Sequence, residues 1–342
     1  MYLKGELMAQ IAIQGRPNIV DKKGRMAVKG YSTTMNIVYN RDDVRKNAFN
    51  LKEWNFYQFK CGEYVLQMTM GHVSYMSSVS LALFRLSDGK KWEIGSMKPF
   101  GKLNLDLDPQ GESYNQYVAK DFAMSFEVTS TQRILHFCGK NKQYSNVEVH
   151  LVADNDPTNP KMVIATPFAK AHQFYLNYKE NYYNASGFVA FDDVRVDFDN
   201  ATGLLDWGRG IWPYKHEWFW GNMTDHIDGV PFGLNIGWGF GDLSCASENM
   251  FFYDKKAHKV GHLHVERDEN NYMAPWKLWD DEGTICLNFA PIYDNYTQNK
   301  FVVVDTHCNQ VFGTFTGYVL VDGNKIEIPA LTAFIEHAVN RW

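Results

Sequence analysis

Short runs in which bulky residues alternate with small or polar ones, separated by tight-turn signals, govern what this 342-residue chain can fold into. Ser87-Asp88-Gly89 is followed by the returning run Lys91-Trp-Glu-Ile94, and Asp322-Gly323 lies between Val311–Leu320 and Lys325–Ile328. An Asp-Gly pair between two alternating runs is a strong short-range hairpin signal, because both turn residues take positive φ. Further alternating runs recur at Glu63–Met70, Ser80–Leu86, Ala123–Val128, Arg133–Cys138, Val147–Val152, Thr284–Phe289 and Phe301–Val304. Many short strands with few helical segments mean an all-β architecture, either barrels or sandwiches. No fixed-period repeat supports a propeller or a solenoid.

Two segments break the β pattern. Asn40–Asn47 reads as a short helix capped by Asn40. Pro329–Trp342 reads as a C-terminal helix, with Pro329 near its start and Leu331, Phe334, Ile335 and Val339 as an apolar stripe. Length allows one large or two medium domains, and a division into residues 1–200 and 201–342 follows from where the pattern changes.

Hydrophobic residues are 45% and charged residues 21% of the chain, enough for a packed core. The net charge of −5 with no basic block argues against nucleic acid as a partner. No apolar run reaches a membrane-spanning length, and no signal peptide opens the sequence. The five cysteines, Cys61, Cys138, Cys245, Cys286 and Cys308, are scattered and form no CxxC. They read as isolated thiols of a cytoplasmic protein. No cofactor motif occurs, and the oligomeric state is not readable from the sequence. His258, His262 and His264 have a spacing a metal could use, but an exposed strand accounts for them better, so no metal is expected.

The chemistry concentrates between Asp206 and Gly221, which hold four of the ten tryptophans together with Asp206, Arg209, Lys215, His216 and Glu217. As an extended strand from Trp212, the segment puts Trp212, Tyr214, His216, Trp218 and Trp220 on one face and Lys215 and Glu217 on the other. His216 then lines an aromatic wall, and Glu217 is not its partner. Gly208 and Gly210 would allow a turn that brings Asp206 to Arg209. Gly237, Gly239 and Gly241 leave one strand face bare beside Asn235 and Trp238, so either the sheet is strongly bent there or another aromatic group or a ligand packs against it. Asp242 and Glu248 sit on a loop of small polar residues suited to cover a pocket. The candidate catalytic residues are His216 and Asp206. The candidate ligand-binding residues are Arg209, Trp212, Tyr214, Trp218, Trp220, Asn235, Trp238, Asp242 and Glu248.

The motifs Leu205-Asp-Trp-Gly-Arg-Gly-Ile-Trp-Pro-Tyr, Asn235-Ile-Gly-Trp-Gly-Phe-Gly-Asp, Ala246-Ser-Glu-Asn-Met-Phe-Phe-Tyr-Asp and Asn340-Arg-Trp342 resemble the bacterial family known as domain of unknown function 2804 over nearly the full length. His216-Glu217-Trp218 is also similar to a segment of the carotenoid hydratase (hydroxyneurosporene synthase) group, with Lys215 where that group has Asp. That similarity implies two lipocalin-like antiparallel barrels with a pocket near His216. Three functions fit: a hydratase, isomerase or cyclase acting on a small, largely apolar molecule; a carrier with the same cavity and no chemistry; or a carbohydrate-active enzyme using tryptophan platforms and paired acids.

Overall fold

A computed structural model describes residues 10–44, 49–301 and 304–342. It consists almost wholly of antiparallel strands in two sheets, each curled around its own core. The first sheet runs in the order 90–99, 76–85, 64–72, 51–61, 201–211, 174–191, 147–154, 132–139, 122–128, 113–118. The second runs 256–259, 250–253, 230–238, 215–227, 324–341, 304–321, 285–301, 276–280, 263–266. The chain changes sheets at Trp212-Pro213-Tyr214, just past the 200/201 division expected from sequence, because Ala201–Ile211 pairs with strands 174–191 and 51–61 of the first sheet. This is the paired half-barrel architecture of lipocalin-like proteins.

The turn signals behave as their chemistry demands. Asp322 and Gly323 have φ of 50° and 80°, and the flanking Val321 and Asn324 pair directly. Asp228-Gly229 makes the same turn, with φ of 51° and 79°, between strands 215–227 and 230–238.

The expected C-terminal helix is a strand, Asn324–Arg341. Its apolar residues point both ways: Ile328, Ala333 and Ile335 into the second core, Phe334 against the first sheet. A strand covered on both faces shows no clean alternation and mimics a helical stripe. Pro329, which suggested a helix start, sits at a β-bulge where the pairing slips between Phe315 and Gly317. A bulge is where a strand tolerates a residue without an N–H. At Asn40 the expected helix is one 3-10 turn, Arg41–Asp43, with the Asn40 side chain accepting from the Asp42 N–H; its expected continuation over 45–47 lies outside the described residues.

The outer faces of the two sheets pack on each other. One end of this interface is apolar, with Leu204, Phe84, Trp220, Phe312 and Phe334. The other is aromatic and thioether-rich, with Tyr175, Trp212, Phe240, Met250 and Phe252. Between them lies a buried polar layer that includes Asn177, Lys179, Asp206, Asn222, Asn235 and Gln310.

Candidate active site

Strand 201–211 sets the geometry. Its even positions face the second sheet: Thr202 Oγ1 donates to the Thr224 carbonyl, and Leu204 packs with Trp220 and Phe334. Its odd positions face the first core, where Leu205, Trp207 and Ile211 are buried. Asp206 and Arg209 are therefore on opposite faces, not paired across a turn. Gly208 and Gly210 do not bend the chain. A Cβ on Gly208 would stand 2.0 Å from the Trp54 ring, and one on Gly210 would stand 2.7 Å from Trp212 Nε1. These glycines make room for two indoles over a regular strand.

Arg209 is fully buried and donates to the carbonyls of Trp54, Gly208 and Asp106 and to Asn55 Oδ1, at 2.6–2.9 Å. Asp106 and Glu53 lie 3.6 and 4.0 Å away. It belongs to the interior of the first barrel.

Asp206 lies in the inter-sheet layer. Its Oδ2 accepts from Trp54 Nε1 at 3.0 Å and its Oδ1 from Asn177 Nδ2 at 2.5 Å. Lys179, two residues along the neighbouring strand from Asn177, stands 4.0 Å from Asp206 and donates to Glu248 Oε2 at 2.5 Å. Burial pushes the Asp206 carboxyl above the ordinary carboxylate range; Lys179, Asn177 and Trp54 pull it back, and the Glu248 charge pushes it up again. Glu336 is the third acid here. Trp218 Nε1 donates to it at 2.8 Å and Gln310 at 3.3 Å. Burial raises its carboxyl also, with Asp206 adding to the effect. Three acids thus share one buried lysine.

The bare strand face at Gly237 is covered by Glu248, whose Oε1 would stand 2.4 Å from a Cβ there. Asn235 donates to the Glu248 backbone carbonyl at 2.8 Å and accepts from Trp220 Nε1 at 2.8 Å. The expected covering group is thus a carboxylate of the same chain.

An aromatic wall adjoins the acids. Trp54 stacks on Tyr175 at 6.0 Å and meets Trp212 edge-on at 5.2 Å. Phe240 packs against Tyr175, Trp212 and Trp218 at 4.7–5.7 Å. The indole N–H of Trp212 and the side-chain carbonyl of Asn177 are buried with no hydrogen-bond partner among the described residues. Unsatisfied buried groups are costly, and Arg209 Nε on the opposite face of strand 201–211 is another of the same kind.

His216 stacks on Trp218 at 5.7 Å and abuts Trp212 and Trp342. Its Nε2 accepts from the Trp342 indole at 2.8 Å, and its Nδ1 lies 3.0 Å from the Pro213 carbonyl. An indole N–H only donates, so Nδ1 carries the proton and the ring is neutral. Burial lowers its pKa to about 4, and Lys52 adds to the shift. Glu217 points the other way, to His337 Nε2 at 3.0 Å.

The remaining candidates separate by location. Tyr214 is 48% exposed, on the crossing between sheets. Trp238 stacks on Phe219 at 4.9 Å, on the face of the second sheet turned to its own core. Asp242 is exposed and accepts from the Ser244 N–H. The structure therefore gathers Asp206, Trp212, Trp218, Trp220, Asn235 and Glu248 at the interface, with His216 at its margin, and leaves Arg209, Tyr214, Trp238 and Asp242 elsewhere. His258 stacks on Phe251 and His264 pairs with Asp281 at 2.6 Å. Sequence reasoning missed Trp54, Tyr175, Asn177, Lys179, Phe240 and Glu336. The phase of Asn177 and Lys179 in a tyrosine-rich run was a usable signal, since two polar residues spaced by two share a face. Glu336 was hidden by the helical reading of its segment.

Solved structures share this fold. Kievitone hydratase from Nectria haematococca is 10% identical, with a TM-score of 0.53 over 89% of this chain and 93% of that one. CghA is 9% identical, with a TM-score of 0.56 over 97% of both chains. CghA with Sch210972 is 10% identical, with a TM-score of 0.50 over 85% of this chain and 88% of that one. No curated protein matches the chain. The model of one family, described as a domain of unknown function (DUF2804), matches residues 10–342, and the chain belongs to that family.

Proposed function

We propose that this protein is an enzyme of the hydratase, isomerase or cyclase type, acting on a small, largely apolar, unsaturated molecule held between the two sheets. The observation that carries this reading is Asp206: a buried carboxyl whose affinity for its proton is raised, beside an aromatic wall. A carboxylic acid that keeps its proton closer to neutral pH is a better general acid. Asp206 donates the proton; Trp54, Tyr175 and Trp212 stabilise the positive charge that develops on an unsaturated carbon; the Trp212 indole N–H holds a ligand oxygen. Lys179 and Glu248 fix the charge balance around Asp206. His216, with both ring nitrogens engaged, seats Trp218 and Trp342 and transfers no proton. Two of the proteins sharing the fold support the reading, one named a hydratase and one solved with the small molecule Sch210972.

A non-catalytic carrier is the second reading, favoured by the fact that both oxygens of Asp206 already accept bonds from protein donors. In either case we assign two domains meeting at Trp212–Tyr214 and a reducing, cytoplasmic setting for the five unpaired cysteines. No helix of the described residues is long and apolar enough to cross a membrane.

Mass spectrometry of what the purified protein retains, followed by incubation in D2O, tests the proposal. Wild type is expected to convert the retained compound to a product with deuterium on carbon, and Asp206→Asn to slow that conversion by ~10²-fold or more. Retained compounds that wild type leaves chemically unchanged would favour the carrier.

A further inference from the structure

The first sheet does not close on itself by backbone pairing. Its two end strands, 90–99 and 113–118, meet through side chains, with Tyr117 Oη donating to Ser96 Oγ at 3.2 Å. Beside this seam lies an open cleft of about 480 Å³. Ile94, 3% exposed and part of the first core, forms its apolar floor together with Phe122, which stacks on Phe137 at 5.3 Å. Lys120, Lys140 and Lys142 line the same cleft, all exposed, with Asp121 as the one carboxylate among its lining side chains. None of the three lysines forms an ion pair among the described residues, a state they share with most of the chain's lysines.

On a chain with net charge −5, three lysines and a single aspartate line one concavity whose floor is hydrocarbon. Clefts lined by one sign of charge concentrate ligands of the other sign. The volume lies in the range of small-molecule sites. Met97 and Val118, on the same two strands, are 49% and 67% exposed and extend the apolar surface along the seam.

We infer that this seam is a second ligand site, separate from the inter-sheet layer, for a small amphiphilic anion. Its carboxylate lies among Lys120, Lys140 and Lys142, and its hydrocarbon lies on Ile94 and Phe122. Lysines beside unpaired edge strands also deter edge-to-edge association; in that case they would bind no ligand, and the experiment separates the two.

Decanoate is titrated into the full chain below its aggregation concentration, with binding followed by calorimetry and by the methyl resonances of Ile94. Saturable binding that shifts Ile94 is expected, weaker by roughly tenfold or more for decanol and for the K120E/K140E/K142E triple variant. These lysines are exposed, so the triple variant should keep the wild-type melting temperature, which shows that any loss is not misfolding. Phe122→Ala should weaken decanoate and decanol alike. Absence of saturable binding to folded wild type, equal binding by the triple variant, or shifts confined to the inter-sheet layer would overturn the inference. So would binding to phosphatidylglycerol vesicles without binding of monomeric decanoate, since the anion would then be read as a headgroup.

Discussion

Arg209 and Asp206 lie three residues apart on one strand, both buried, and their surroundings differ in kind. Arg209 faces the first core, donates four hydrogen bonds and has two carboxylates within 4.0 Å. Tyr39 and Arg41 hydrogen-bond Glu53, and Asn55 and Trp207 hydrogen-bond Asp106, so both carboxylates near it are held by further donors. Asp206 faces the second sheet, where three acids share Lys179 and two carboxyls are driven toward their protonated forms. Burial alone does not distinguish structural from chemical charge, and Arg209 Nε is itself buried without a partner; the balance of charge does, with Arg209 and Arg41 against Glu53 and Asp106 on one face and Lys179 against three acids on the other. The odd face of the strand is architecture, and the even face retains unbalanced acidity next to one unsatisfied donor and one unsatisfied acceptor.

Breaking the architectural side should have the largest effect. Arg209→Met leaves Asp106 buried without its cation and Glu53 with Arg41 alone, and urea denaturation should show a loss of about 3–5 kcal/mol. Next comes the margin of the site. His216 is neutral when folded, with a pKa lowered to about 4 from 6.5. The unfolded chain therefore takes up a proton that the folded one refuses. The stability this confers is complete above pH 6.5 and is lost as pH falls toward 4, by about 3 kcal/mol. Denaturation midpoints of wild type and His216→Gln at both ends of that window measure the difference. A smaller effect is expected at Gly208→Ala, where the new methyl meets Trp54. The stability cost is ~1–3 kcal/mol, and the Trp54 bond to Asp206 is displaced, so the proposed proton transfer slows while Arg209 keeps its bonds. Equal stability losses on the two faces would collapse the comparison.

Much of this was legible in the chain. The all-β class follows from Asp-Gly turns and alternating runs, and these local rules hold because tertiary packing agrees with them. The separation of His216 from Glu217 follows from strand alternation alone. What was not legible depends on long-range packing. Glycines usually signal freedom, yet Gly208 is fixed by the Trp54 indole and Gly210 by the Phe174 carbonyl, both brought from far along the sequence, and by Trp212 beside it. The terminal strand is buried on both faces, which erases the period that identifies strands and concealed Glu336. Lys179 acquires meaning only when strand 174–191 is laid beside Asp206, and no local pattern encodes that register.

The central claim is that Asp206 is a carboxyl made to hold its proton. Site-resolved ¹³C NMR of the Asp206 carboxyl, titrated in wild type with an Asp206→Asn spectrum for assignment, measures this directly. A midpoint clearly above the ordinary aspartate value of 3.8 is expected, falling when Glu248→Gln removes the Glu248 charge that raises it. A midpoint at or below that value, insensitive to Glu248, would contradict it.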